Sequence, residues 1–235
     1  IWMSTQRPEW NDANNALVGN GVSMVTLSYL RRFLMFFDNV LTNSKIEEAE
    51  LSNELLEFFN DVVSVLQSNQ HVLSKHIDDA DRKKILDGLG TAGSKYRNQV
   101  YEHAFSGRKK NLSINDIKGF IEISIQYLEH SIKVNKRADN LYHAYNLMTV
   151  EPNNAISIGH LDEMLEGQVA VLSSGYLSSK EALEVLDALK SSKLFRPDQY
   201  SYLLYPNKEL KGFIQRNNIN KDSVSKSSLL QQLIA

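Results

Sequence analysis

Val22-Ser-Met-Val-Thr-Leu-Ser-Tyr-Leu-Arg-Arg-Phe-Leu-Met-Phe-Phe-Asp-Asn-Val-Leu41 decides the first reading of the fold. Leu27, Leu30, Leu34, Phe37 and Leu41 recur near the 3.6-residue period of an α-helix, and further apolar residues fall on its other faces. The pattern predicts a deeply buried helix. Arg31, Arg32 and Asp38 interrupt the run where charge would be costly inside a bilayer, so no transmembrane span is expected.

Prolines occur only at 8, 152, 197 and 206, which leaves the long stretch from Pro8 to Pro152 free of the strongest helix breaker. A second helix is expected from about Ile46 to Leu66. Leu51, Leu55, Phe58, Val62 and Val65 form its stripe, and Glu47, Glu48, Glu50, Glu54 and Glu57 lie mostly off it. The first two helices are expected to make a helical hairpin. Asp78 opens a third helical segment reaching about Phe105, where Gly88, Gly90 and Gly93 are candidate kink points. Ser113 precedes a fourth helix, with Asp116 at the position of a capping-box glutamate.

Residues 137–148 read as a short fifth helix, 150–159 as a loop around Pro152, Asn153 and Asn154, and 160–172 as helix again. Ser178-Ser-Lys-Glu181 is a capping-box signature opening a helix to about Leu189, and short helical turns bearing tyrosines follow. No internal repeat, low-complexity tract or sustained strand-like alternation is visible. The expected fold is therefore all-α, a single helical domain over residues 1–235 built from antiparallel helical hairpins, with residues 1–21 as an irregular loop ahead of the first helix.

The chain of 235 residues is 42% hydrophobic, enough for a real core. Its 26 basic residues against 28 acidic ones give a net charge of −2, so neither nucleic acid nor an anionic membrane is expected as a partner. With no cysteine, disulfides, thiolate metal sites and a cysteine nucleophile are excluded, while the compartment stays open. The start, Ile1-Trp2-Met3, has neither a signal-peptide pattern nor an initiator methionine. A piece of a longer polypeptide, or a chain whose leader is already gone, is expected, with the remainder of its own chain as a partner.

The loop ahead of the first helix carries the densest chemistry. Arg7, Glu9, Trp10, Asn11, Asp12, Asn14 and Asn15 bring together two carboxylates, a guanidinium, an indole and three amides. Carboxylates move protons, indole offers a platform for a sugar ring, and amides both donate to and accept from hydroxyl groups. This is a chemistry of polyol recognition. The same residue types also cap helices and fill turns, and Trp10 could plug a core, so a capped structural turn is the alternative.

Glu9-Trp-Asn-Asp-Ala-Asn-Asn15, followed by Gly19, resembles the Asp-Trp-Asn-Asp-Gly-Met-Asn segment of the cellobiose phosphorylase family and related glycoside hydrolases built on an (α/α)6 toroid. The resemblance covers about a dozen residues. It implies that the chain is a C-terminal part of such a toroid, that Asp12 is the general acid on the glycosidic oxygen, and that Glu9 beside it raises its proton affinity by like-charge repulsion. Arg7, Trp10, Asn11, Asn14 and Asn15 would then touch substrate. Glu9 replaces the family's first aspartate, and the family's histidine-containing, glycine-rich phosphate-binding segment has no counterpart here. Both departures favour a hydrolase or a divergent relative over a phosphorylase.

An inverting hydrolase needs a second carboxylate to activate water. Within His160-Leu-Asp-Glu-Met-Leu-Glu-Gly-Gln168, Asp162 and Glu166 would share a helical face, and Glu166 is chosen because Gly167 lets a substrate approach the backbone. A solvated helix face is the plainer explanation of these acids. Tyr200, in the tyrosine-rich run 198–205, is a candidate sugar contact or else lines the core. The six histidines form no HExxH motif, and neither a phosphate loop nor a nucleophile elbow occurs, so no metal and no cofactor are expected. The rival reading is a noncatalytic helical scaffold or protein-binding module.

Overall fold

The computed structural model describes residues 2–3 and 20–234. Of the described residues 58% are helical and 15% lie in strands, so the fold is a mixed α/β arrangement and the all-α toroid expectation is corrected. The strands are β1 (Trp2–Met3), β2 (Gly21–Ser23), β3 (Glu48–Ser52), β4 (Lys109–Ser113), β5 (Tyr145–Glu151), β6 (Ala155–His160), β7 (Phe195–Arg196) and β8 (Ser201–Tyr202). They form an antiparallel sheet in the order β1-β2-β5-β6 and two ribbons, β3-β4 and β7-β8.

The main helices are α1 (Met24–Asn43), α2 (Asn53–Ser68), α3 (Asp79–His103), α4 (Ile114–Val134), α5 (Leu165–Ser173) and α6 (Ser179–Ser191). Three short ones follow, α7 (Phe213–Arg216), α8 (Lys221–Ser225) and α9 (Ser228–Ile234). Several starts lie where capping chemistry puts them. Ser113 Oγ accepts the Asp116 amide at 3.0 Å, Asp78 caps α3, and Ser178 with Glu181 makes a full capping box. Among the described residues no helix is long and apolar enough to cross a membrane.

The main core lies where α1, α4, α5 and α6 meet, from Met24, Leu27 and Leu34 through Ile121, Leu128 and Ile132 to Val171 and Val185. Arg31 is buried within this contact. Its Nε donates to Glu129 Oε1 at 2.9 Å, and its Nη1 donates to the Ser174 carbonyl at 2.8 Å, which ties α1 to α4 and to the end of α5. The expected α1–α2 hairpin is not formed. Instead α2 packs on α3, with Phe58 stacked on Tyr96 at 5.0 Å and Gly88 fitted against Val65. The intervening residues 44–52 do not close a hairpin turn, because Glu48–Ser52 pairs with Lys109–Ser113.

Residues 137–148 and 150–159 are the second correction. The backbone turns at Asn140, with φ of 63°, Lys136 bridges Tyr142, and the chain then runs out as β5. Asn154, with φ of 60°, turns it back into β6. Between Ala144 and Pro152 there is too little chain for a stable helix, and Thr149, Val150, Ile156 and Ile158 are β-branched residues that suit a paired strand. Residues 160–164 are also non-helical, since β6 ends at His160 and α5 starts at Leu165.

Candidate functional site

The site is organised by the register of the four-stranded sheet. Met3 pairs with Gly21, Gly21 with Leu147 and Leu147 with Gly159, forming one row across four strands. β1 ends at Met3 and β2 begins at Gly21, and both of these residues lie on that row. The loop's own candidates, Arg7, Glu9, Trp10, Asn11, Asp12, Asn14 and Asn15, lie outside the described residues. Asn20 is held by its carbonyl, which accepts the Met148 amide at 2.7 Å. Ser23, where the loop's exit strand becomes α1, faces Tyr145 in register.

Tyr145 is buried, and its hydroxyl donates to Glu166 Oε2 at 2.8 Å. Ser23 of β2 and the Glu166 carboxylate therefore both adjoin Tyr145 of β5. Glu166 stands in the first turn of α5, where the helix dipole favours a negative charge. Its position is fixed by its neighbours. A β-carbon on Gly167 would lie 2.9 Å from the Ala144 β-carbon, so this glycine admits the 141–145 backbone and not a substrate. Gln168 is fully buried, accepts the Tyr142 amide at 2.8 Å and donates to the Tyr142 carbonyl at 2.8 Å, much as a neighbouring strand would.

The other acids of that run have separate partners. Asp162 precedes the helix and pairs with Lys208, whose ammonium holds the carboxyl below its ordinary range. Glu163 pairs with Arg137 at 3.3 Å. Asp162 and Glu166 thus do not share a helical face. Tyr200 sits at the β7–β8 turn with φ of 47°, its ring edge-on to Phe195 at 5.6 Å and below Lys190 Nζ at 5.8 Å, and it is largely exposed.

On the opposite face of β5, the structure assembles a cluster that sequence reading missed. Asn146 pairs in register with His160, and His143 lies flat on His160 with ring centroids 4.0 Å apart and planes 9° from parallel. Burial, and then the neighbouring His160, push the His143 imidazole down to about 4; burial likewise lowers His160. The two histidines are far apart in sequence, and a helical reading of residues 137–148 hides their meeting. The usable signal was the strand chemistry of residues 145–150 followed by a Pro-Asn-Asn turn.

A groove of about 600 Å³ also runs along α4 beside α1, lined by Asp38, Lys118, Glu122 and Gln126, but it contains none of the expected site residues. Among the described residues no three His, Asp or Glu side chains are grouped to hold a metal ion. No protein-family model and no curated protein matches this chain.

Proposed function

We propose that this chain belongs to a carbohydrate-active enzyme that cleaves glycosidic bonds by acid/base catalysis, with Asp12 as general acid and Glu166 as the carboxylate that activates water. The observation that carries the reading is the meeting at Tyr145. The strand leaving the Glu9–Asn15 segment runs beside this residue, and its hydroxyl holds Glu166. The resemblance of Glu9–Asn15 to the cellobiose phosphorylase group supplies the role of Asp12, and Trp10 with the neighbouring amides supplies groups suited to sugar hydroxyls. Glu9 and Arg7 then tune the acid and contact the substrate.

The test is glycosidase and phosphorylase assay, with aryl glycosides and β-linked oligosaccharides, with and without inorganic phosphate. Asp12→Asn is expected to lower turnover of unactivated substrates by about 10²–10⁴, the range for general acid catalysis, while sparing activated aryl glycosides. Glu166→Gln should lower both. Unchanged cleavage in both variants, or no cleavage of any glycoside by the parent protein, overturns the reading.

A second reading, a noncatalytic binding module, is supported by α1. Tyr29, Phe33, Phe36 and Val40 recur at spacings of four, three and four residues and are 43%, 54%, 62% and 44% exposed. This apolar stripe suits a partner helix.

A further inference from the structure

The stacked histidines are separate from the carboxylate site and follow a different logic. Their hydrogen-bond relay fixes one tautomer. Asn135 donates its amide to the Ser131 carbonyl at 2.8 Å, which turns Asn135 Oδ1 toward Asn146. Asn146 Nδ2 donates to that oxygen at 2.7 Å, which turns Asn146 Oδ1 toward His160. His160 Nδ1, at 2.9 Å from it, must then carry a hydrogen, leaving the lone pair on Nε2 of an exposed residue. A second proton on His160 can be taken from solvent without breaking the relay.

His143 differs. Its Nδ1 is buried and has no hydrogen-bond partner among the described residues. An imidazolium carries hydrogen on both nitrogens whichever tautomer precedes it, so a charged His143 puts a donor into that position. It also places positive charge flat against His160 and near Arg137. A hydrogen bond to the Leu161 backbone, and after it Asp139, oppose this only in part, since burial, His160 and Arg137 outweigh them and Arg137 already engages both Asp139 and Glu163. Asp162 is occupied by Lys208. His143 belongs to the turn that follows α4, and His160 ends β6, so their stack lies beside the Asn146–His160 pairing of β5 with β6 and the packing of Leu161 and Met164 on Ala144 and Tyr145.

We infer that the His143–His160 stack is a proton-operated clasp, closed while both rings are neutral and opened when His143 is protonated, releasing the 136–146 turn from the end of β6. The clasp itself is independent of the glycosidase reading; its consequence for catalysis, loosening the strand that carries Tyr145, rests on that reading. His160 protonates first and leaves the clasp closed, and His143 protonates in a second, more acidic step.

Imidazole NMR titration and hydrogen exchange of the intact chain test this without any substrate. His160 is expected to show the Nδ1–H tautomer at neutral pH, and His143 to titrate near 4. Exchange protection, corrected for intrinsic rates, should fall in residues 136–146 and 158–164 by up to roughly a hundredfold between pH 6.5 and 4, while residues 121–132 of α4 keep theirs. His143→Phe keeps a flat ring that cannot be charged and should abolish the local loss. If this variant does not fold, the wild-type titration still decides. His143 titrating at its ordinary value near 6.5, or protection lost in α4 together with the two segments, overturns the clasp. No cleavage of any glycoside by a protein whose clasp behaves as described counts against the glycosidase reading alone.

Discussion

Gly167 lies against Ala144 so closely that a β-carbon on the glycine would stand 2.9 Å from the alanine β-carbon and 3.0 Å from its α-carbon. The first turn of α5 and the start of β5 are thereby pressed together, and Gln168 completes the contact with its two hydrogen bonds to Tyr142. Gly167→Ala is expected to lower stability by about 1–3 kcal/mol, the usual range for overpacking. Gln168→Leu should do at least as much, because it leaves the buried Tyr142 amide and carbonyl unpaired at about 1–3 kcal/mol for each such group. Denaturant midpoints of both variants check this, and a wild-type midpoint for Gly167→Ala would refute the close contact.

Arg31 gives a second expectation. The guanidinium is almost wholly buried between α1, α4 and α5, whereas Glu129 remains partly open to solvent. Removing the arginine leaves one partner that water can recover and one buried carbonyl, that of Ser174, that it cannot. Arg31→Ala should therefore cost about 2–4 kcal/mol, less than or near the range for breaking a fully buried pair. Glu129→Gln, which keeps an acceptor for the guanidinium, should cost less than Arg31→Ala. Chemical unfolding of the two variants side by side tests the order.

Glu54 predicts acid behaviour. The Ser106 side chain and backbone amide are the main groups that pull its carboxyl down to about 2 from 4.5, and the Ser106 amide donates to Oε1 at 2.9 Å. A depressed carboxyl stabilises the folded state above its unfolded value and loses that contribution as pH falls through its folded one. The melting temperatures of wild type and Glu54→Gln should therefore differ at pH 7 and converge between about pH 4.5 and 2. A gap that stays constant down to pH 2 would remove the ionised Ser106–Glu54 contact from the account.

Leu55 and Phe58 show how far the sequence carried the fold. Both lie on the apolar stripe expected for the second helix, yet Leu55 is 38% exposed while Phe58 stacks on Tyr96. Phe58→Ala should cost about 2–4 kcal/mol and Leu55→Ala under about 1 kcal/mol. Periodicity and caps at Asp78, Ser113 and Ser178 placed helices well, because both are local properties of the chain. Pairing partners were hidden. Glu48–Ser52 looks like the start of α2 until Lys109–Ser113 lies beside it, and Tyr145–Glu151 reads as the end of a helix followed by a loop until Gly21–Ser23 and Ala155–His160 flank it. Glu166 was legible as an acid beside an unusual glycine, but the reason for that glycine, Ala144, is a tertiary contact no local pattern records.

Tyr145 and Glu166 supply the prediction closest to function. The phenol donates to Glu166 Oε2 at 2.8 Å from a buried ring, so Tyr145→Phe deletes one charge-assisted hydrogen bond and keeps the packing. Stability should fall by about 1–3 kcal/mol, the range for hydrogen bonds to charged groups. Glu166→Gln keeps an acceptor for the phenol and removes the charge, so its cost should be smaller. A double-mutant cycle isolates their coupling, expected at about 0.5–3 kcal/mol for contacting residues. Coupling near zero would mean that Glu166 is held by α5 alone. If the glycosidase reading holds, Tyr145→Phe should also lower turnover with little change in KM, because the hydroxyl orients the carboxylate that activates water without contributing to ground-state binding. A purely structural pair would instead show the stability coupling with turnover of the folded fraction unchanged.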